Sequence, residues 1–120
     1  MSQIRTTEIL EDGNFRDFTF HDAAIVAANG ATLKLKAAHK TLTVEIRGTS
    51  TSRTIAFYEK MSNGTLVPLM GVRRFDFATA TSTTGTDEVW EFGIVGAIEI
   101  VMDLTAVAGG NVTVKGRAVA

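Results

Sequence analysis

The segment TLTVEIRG, residues 41–48, decides the fold class of this chain. Its apolar side chains Leu42, Val44 and Ile46 alternate with the polar residues Thr43, Glu45 and Arg47. Successive side chains of a β-strand point to opposite faces of the sheet. The alternation therefore predicts a strand with one buried face and one solvated face.

The same two-residue period recurs along the chain. In RTIAFYEK, residues 53–60, it turns Ile55 and Phe57 inward and leaves Tyr58 outward. In RRFDFAT, residues 73–79, it places Phe75 and Phe77 together on one face of a predicted strand. Three later runs align their apolar residues in the same way: Trp90, Phe92 and Ile94; Ile98, Ile100, Met102 and Leu104; and Val112 and Val114.

Turn signals separate these runs. Asn29-Gly30 and Asn63-Gly64 are strong hairpin signals, because both residue types tolerate positive φ. Pro68 cannot donate a ladder hydrogen bond, so it predicts an edge strand or a bulge, and Gly116 predicts a bulge or a close backbone approach. About eight or nine short strands at spacings of about 8–12 residues predict an all-β fold, an antiparallel β-sandwich of the jelly-roll kind. The best helix candidate is HDAAIVAANG, residues 21–30, but its β-branched centre favours a strand.

Length and charge narrow the functional classes. A chain of 120 residues is expected to form a single domain, 1–120. It has no cysteine, which excludes disulfides and thiol chemistry and suits synthesis in a reducing cytoplasm. The net charge is −1 without a block of like charges, so nucleic acid and anionic lipid are not expected partners. The sequence contains no signal-peptide pattern and no apolar run of membrane-spanning length.

The sequence offers little catalytic chemistry. His21 and His39 lack further ligands at a metal-binding spacing, and no nucleophile elbow is present. We therefore expect a protein that is not an enzyme and that holds no cofactor and no metal. A hydrolase whose site is assembled from distant residues remains a third hypothesis. Calcium is a weaker hypothesis, because oxygen-rich loops are common in β proteins; its candidate ligands are Glu11, Asp12, Asn14, Asp17 and Asp22.

Two aromatic residues are the candidate binding residues. Sugar binding needs an aromatic platform that faces solvent, and the alternation turns most aromatic residues inward. Tyr58 is expected to point outward, whereas Trp90 is expected in the core with an N–H that needs a partner. Both are candidates for contacts with a carbohydrate or with a protein interface.

Residues 42–120 resemble small virion-associated proteins of tailed bacteriophages. The resemblance lies in GTSTSRTIAFYEKMSNGTLVPLMGVR, residues 48–73, and in the final segment that runs from ATSTTGTDEVWEFG to GGNVTVKGRAVA, residues 80–120. These motifs shape a fold and carry over no functional residue. The resemblance implies a β-sandwich of a phage particle, of the head decoration, head fibre or tail accessory type.

This resemblance gives the functional expectation. We expect a structural module of the virion that docks on capsid or tail proteins and associates with its own copies. Unpaired sheet edges favour a cyclic homo-oligomer, and the phage analogy favours a trimer. Residues 1–13 are expected to form an arm that reaches a neighbouring copy. The alternative is a carbohydrate-binding module that helps adhesion to a host surface.

Overall fold

The computed structural model describes residues 15–35 and 39–119, and only the backbone of Phe15. The predicted arm, residues 1–13, lies outside this part of the chain. Within it the fold is all-β and antiparallel, as predicted. The strands are β1 (Phe15–Ala24), β2 (Leu33–Lys34), β3 (Thr41–Arg47), β4 (Ser52–Lys60), β5 (Leu66–Pro68), β6 (Gly71–Arg73), β7 (Thr79–Ala80), β8 (Ser82–Thr83), β9 (Glu88–Gly93), β10 (Glu99–Ala108) and β11 (Val112–Val119). Three of these have only two residues, which explains the lower predicted number.

The strands pair in a nested order that is typical of a jelly roll. β1 pairs with β11, β2 with β10, β3 with β9 and β4 with β5. This pairing is that of one long hairpin rolled into two sheets. The six-stranded sheet has the order β1-β11-β3-β9-β6-β7, and the five-stranded sheet has the order β2-β10-β4-β5 with β8 beside β4.

The core lies between the inner faces of the two sheets. β3 shows the predicted alternation, with Leu42, Val44 and Ile46 fully buried. The side chain of Phe57, on β4, packs against the six-stranded sheet. The centre of its ring lies 5.1 Å from that of Trp90 and 4.9 Å from that of Phe92. Each such side chain contributes about 1.5–3 kcal/mol by leaving water, so this contact holds the sheets together.

The predicted hairpin at Asn63-Gly64 is confirmed, because β4 and β5 pair across it and Gly64 has a φ of +88°. The predicted hairpin at Asn29-Gly30 is wrong, because β1 pairs with β11 and β2 pairs with β10 in the other sheet, although Gly30 does have a φ of +72°. Pro68 ends an edge strand. At Gly116 the Phe20 ring approaches the backbone closely, as predicted, because a Cβ there would lie 2.9 Å from that ring.

The predicted inward orientation is wrong for three residues in two segments. Phe75 and Phe77 are 71% and 78% exposed, because the backbone turns between β6 and β7 instead of continuing as a strand. Ile98 is also exposed, since β10 begins one residue later at Glu99. In both cases the alternation of residue types continues beyond the end of the strand.

Residues 21–30 contain no helix, in agreement with the preference for a strand. β1 ends at Ala24, and the segment that follows exposes Ile25 and Val26. This loop then crosses towards the second sheet, where Ala28 exchanges backbone hydrogen bonds with Leu104. In the described residues no helix has the length and apolar character needed to cross a membrane.

Candidate functional site

The structure separates the two predicted binding residues. Tyr58 is half-buried on the outer face of the five-stranded sheet, beside Val101 and Pro68 on neighbouring strands. Trp90 is only 1% exposed, and its Nε1–H donates a hydrogen bond to Glu88 at 3.0 Å. The expected core position of Trp90 and its need for a partner are confirmed. Its ring therefore offers no face to a ligand, and the two residues do not form one platform.

Glu88 is a buried carboxylate that the sequence did not identify as a candidate functional residue. Glu88 begins β9 on its inner face, in register with Trp90 and Phe92. One carboxylate oxygen accepts hydrogen bonds from the Thr83 hydroxyl at 2.7 Å and from Trp90. The other oxygen accepts from Arg73 at 2.9 Å. In the sequence, Glu88 stands two residues before Trp90, at a position where the alternation predicts an inward side chain. This was the available signal for a buried polar network, since carboxylates are buried only with partners.

Arg73 connects this buried carboxylate to the turn that follows β6. Its guanidinium donates to both carboxylate oxygens of Asp76, at 3.0 and 2.8 Å. These bonds, with a further one from the Ala78 N–H, hold the pKa of the Asp76 carboxyl below its ordinary value. The carboxylates in turn raise the pKa of Arg73. The planar guanidinium fixes both groups in orientation, which an ammonium would not do.

The turn itself, residues 73–78, presents two phenylalanines to solvent, and we call it the aromatic tip. The Arg73 guanidinium lies 4.8 Å from the centre of the Phe75 ring. The Phe77 N–H donates to the Arg73 carbonyl, and Phe77 has a φ of +60°. This backbone region is unfavourable for a phenylalanine, and such strain persists only where surrounding contacts enforce it. The tip is therefore a backbone turn held by local bonds, and it presents an apolar surface.

A second surface is an open groove of about 740 Å³ on the outer face of the six-stranded sheet. Arg117 pairs with Asp17 across β11 and β1, which lowers the pKa of the Asp17 carboxyl. Lys115 lies opposite Glu45 on β3, and the Thr43 side chain also lines the groove. The groove thus combines hydroxyl, carboxylate and cationic groups without a dominant charge.

In the described residues, the two histidines and the candidate calcium ligands do not form a common site. His21 is buried, and one ring nitrogen lies 2.6 Å from the Met102 carbonyl, so it links β1 to β10. His39 is buried without a hydrogen-bond partner. Asp17 is committed to Arg117, and the described residues contain no metal-binding group of three carboxylates or histidines. Of the other candidate calcium ligands, Asp22 lies in β1 with an exposed side chain, and Glu11, Asp12 and Asn14 lie outside the described residues.

Comparison with known families assigns the chain. The family model described as XepA matches residues 14–118, which include β1 to β10 and all of β11 except its last residue. The chain belongs to the XepA family.

Members of the XepA family that resemble this chain come from Bacillus subtilis strain 168. The phage-like element PBSX protein XepA is 42% identical over 104 residues, which cover 86% of this chain and 37% of XepA. The SPbeta prophage-derived protein YomS is 41% identical over 100 residues, which cover 82% of each chain. This chain therefore spans well under half of XepA and most of YomS.

Crystal structures of the same two relatives share the fold. YomS superposes with a TM-score of 0.85 at 39% identity and covers 88% of this chain and 93% of its own. The PBSX exported protein XepA gives a TM-score of 0.86 at 39% identity, over 88% of this chain and 38% of its own. These relatives confirm the phage origin that the resemblance implied. Decoration, fibre or tail type stays a prediction.

Proposed function

We propose that this XepA-family chain is a non-enzymatic binding module of a phage element that associates with its own copies and docks on a phage particle. The observation that supports it most is the aromatic tip. Ion pairs and hydrogen bonds hold the backbone turn that carries two exposed phenylalanines, and exposed apolar patches of this kind are typical of protein interfaces. A turn held in this way also lowers the entropy cost of binding.

The sheet edges support self-association. β1 and β7 are the edge strands of the six-stranded sheet, and an edge strand leaves backbone groups unpaired. A closed ring of copies covers the edges of every member, which is why cyclic assemblies suit such folds. The proposed location is the virion or its vicinity, after synthesis in the bacterial host.

Light scattering coupled to size exclusion, at micromolar concentration, tests self-association. We expect a mass that is a multiple of 12.8 kDa. Three chains would confirm the predicted trimer, whereas another closed number would correct the copy number alone. Co-sedimentation with purified particles of the phage element tests docking. A strictly monomeric protein that never sediments with particles would refute the proposal.

Carbohydrate binding is the second candidate, and the open groove favours it. Its hydroxyl and charged groups, among them those of Thr43 and Lys115, can hydrogen-bond to sugar hydroxyls. A glycan array with the wild-type protein, Thr43→Val and Lys115→Ala tests this groove. Tyr58→Ala, on the opposite sheet, separately tests the residue that the sequence suggested, and Val67→Ala on β5 of that sheet is the control. Absence of binding to any bacterial glycan ends this candidate.

A further inference from the structure

Two exposed apolar groups flank the six-stranded sheet on opposite edges. One is the aromatic tip beside β7, with Phe75 and Phe77. The other is the loop after β1, where Ile25 and Val26 are 70% and 67% exposed. Neither group packs against the core, and we call the second one the aliphatic loop, residues 25–26.

Strand directions place both groups at the same end of the sheet. The aliphatic loop follows the end of β1, which pairs with the start of β11. The start of β11 pairs with the end of β3, and the end of β3 pairs with the start of β9. The end of β6 approaches the start of β9, because the Arg74 N–H donates to the Val89 carbonyl. The aromatic tip therefore projects at the level of the aliphatic loop.

The tip and the loop of one copy are too far apart to meet. Four strand spacings separate β1 from β6, which amounts to about 19 Å at 4.8 Å per spacing. Two apolar groups at one level on opposite edges instead suit a head-to-tail contact, in which each copy offers both surfaces.

We propose that the aromatic tip of one copy packs on the aliphatic loop of the next copy, as the apolar centre of a head-to-tail interface. This inference rests on the self-association proposed above and names its contact residues. Phenylalanine rings on aliphatic side chains match in chemistry, and aromatic residues are common interface anchors.

The charges around the tip favour a protein partner over an anionic lipid surface. Arg73 pairs with Asp76 and Glu88, and Arg74 pairs with Glu91 at 2.8 Å. Cations that are already neutralised by carboxylates add little attraction to anionic headgroups. The paired charges instead form a polar rim around the two phenylalanine rings, as at protein interfaces.

Disulfide trapping tests the contact directly, since the chain has no cysteine of its own. We expect Phe77→Cys protein mixed with Val26→Cys protein to form a disulfide-linked dimer on mild oxidation. Each protein then carries a single cysteine, so every disulfide joins two copies, and its Cα atoms must lie within about 7 Å of each other. Val95→Cys mixed with Val26→Cys is the matched control, because Val95 is 78% exposed at the opposite end of β9. Phe77→Cys alone should not dimerise.

Serine variants give an independent measurement. Phe75→Ser with Phe77→Ser, and separately Ile25→Ser with Val26→Ser, should lose the oligomer mass in light scattering, whereas Val95→Ser should keep it. An unchanged mass in both double variants, without the trapped dimer, overturns this inference and leaves self-association intact. A monomeric wild-type protein overturns both proposals. Loss of binding to phosphatidylglycerol vesicles in the phenylalanine variant at unchanged mass would assign the tip to a membrane and also overturn the inference.

Discussion

Replacement of Glu88 by alanine should destabilise the fold strongly. The Thr83 hydroxyl and the Trp90 N–H would both lose their acceptor in a buried site, and each unsatisfied group costs about 1–3 kcal/mol. Arg73 would keep its bonds to Asp76 and is partly solvated, so its loss of one partner adds little. The expected decrease in the free energy of unfolding is therefore about 2–6 kcal/mol.

Urea unfolding measures this change, with the fluorescence of Trp90, the chain's only tryptophan, and far-ultraviolet circular dichroism as two probes. Glu91→Ala is the control, because its pair with Arg74 is exposed and such pairs contribute about 0–1 kcal/mol. Glu88→Gln should fall between the two, since its amide keeps one acceptor but turns a donor towards Arg73. If Glu88→Ala and Glu91→Ala agree within about 0.5 kcal/mol, the buried network does not stabilise the fold as argued.

Three further predictions concern other positions. Phe77→Gly should raise the free energy of unfolding by about 0.5–1 kcal/mol in the same urea assay, because glycine relieves the +60° φ; a loss of stability would contradict the strain. Gly116→Val should lower it by about 1–3 kcal/mol, because its side chain would collide with the Phe20 ring, and the exposed Gly93→Val change is the control. Lowered pKa values of Asp17 and Asp76 mean that their pairs stabilise the fold above the ordinary aspartate pKa of about 3.9 and lose this effect as pH falls through the lowered values. The Asp17→Asn, Asp76→Asn double variant should therefore show a flatter loss of stability below about pH 4 in acid titrations, and an unchanged slope would contradict this assignment.

The sequence predicted the faces of the strands better than their ends or neighbours. Alternation identifies which side chains of β3 or β9 point inward, because that follows from the backbone of a single strand. It does not identify partners: β1 pairs with β11 about a hundred residues later, and only the packed sheets select that pairing. The number and spacing of the strands thus predicted a sandwich of the jelly-roll kind, but no local signal predicted which strands pair.

The candidate site was predicted less well, for a physical reason. RRFDFAT has the alternation of a strand, but Asp76 accepts a hydrogen bond from the Ala78 N–H, and Arg73 pairs with the same carboxylate. Local side-chain bonds to the backbone compete with a ladder and close a turn instead. Residue types alone cannot show whether the turn or the strand forms, since Arg73 is oriented by Glu88, fifteen residues away.

Stability and surface chemistry are carried by different residues in this region. Phe75 and Phe77 bury little of their area in the monomer, so their serine variants should unfold at the wild-type urea concentration when both proteins are diluted to monomers, and should lose association at micromolar concentration. Glu88→Ala acts beneath the tip and should lower both stability and association, because the turn loses its support. If the tip were only a by-product of the turn, both changes would leave assembly unaltered. Comparison of the two variants therefore separates a surface that binds from a network that folds.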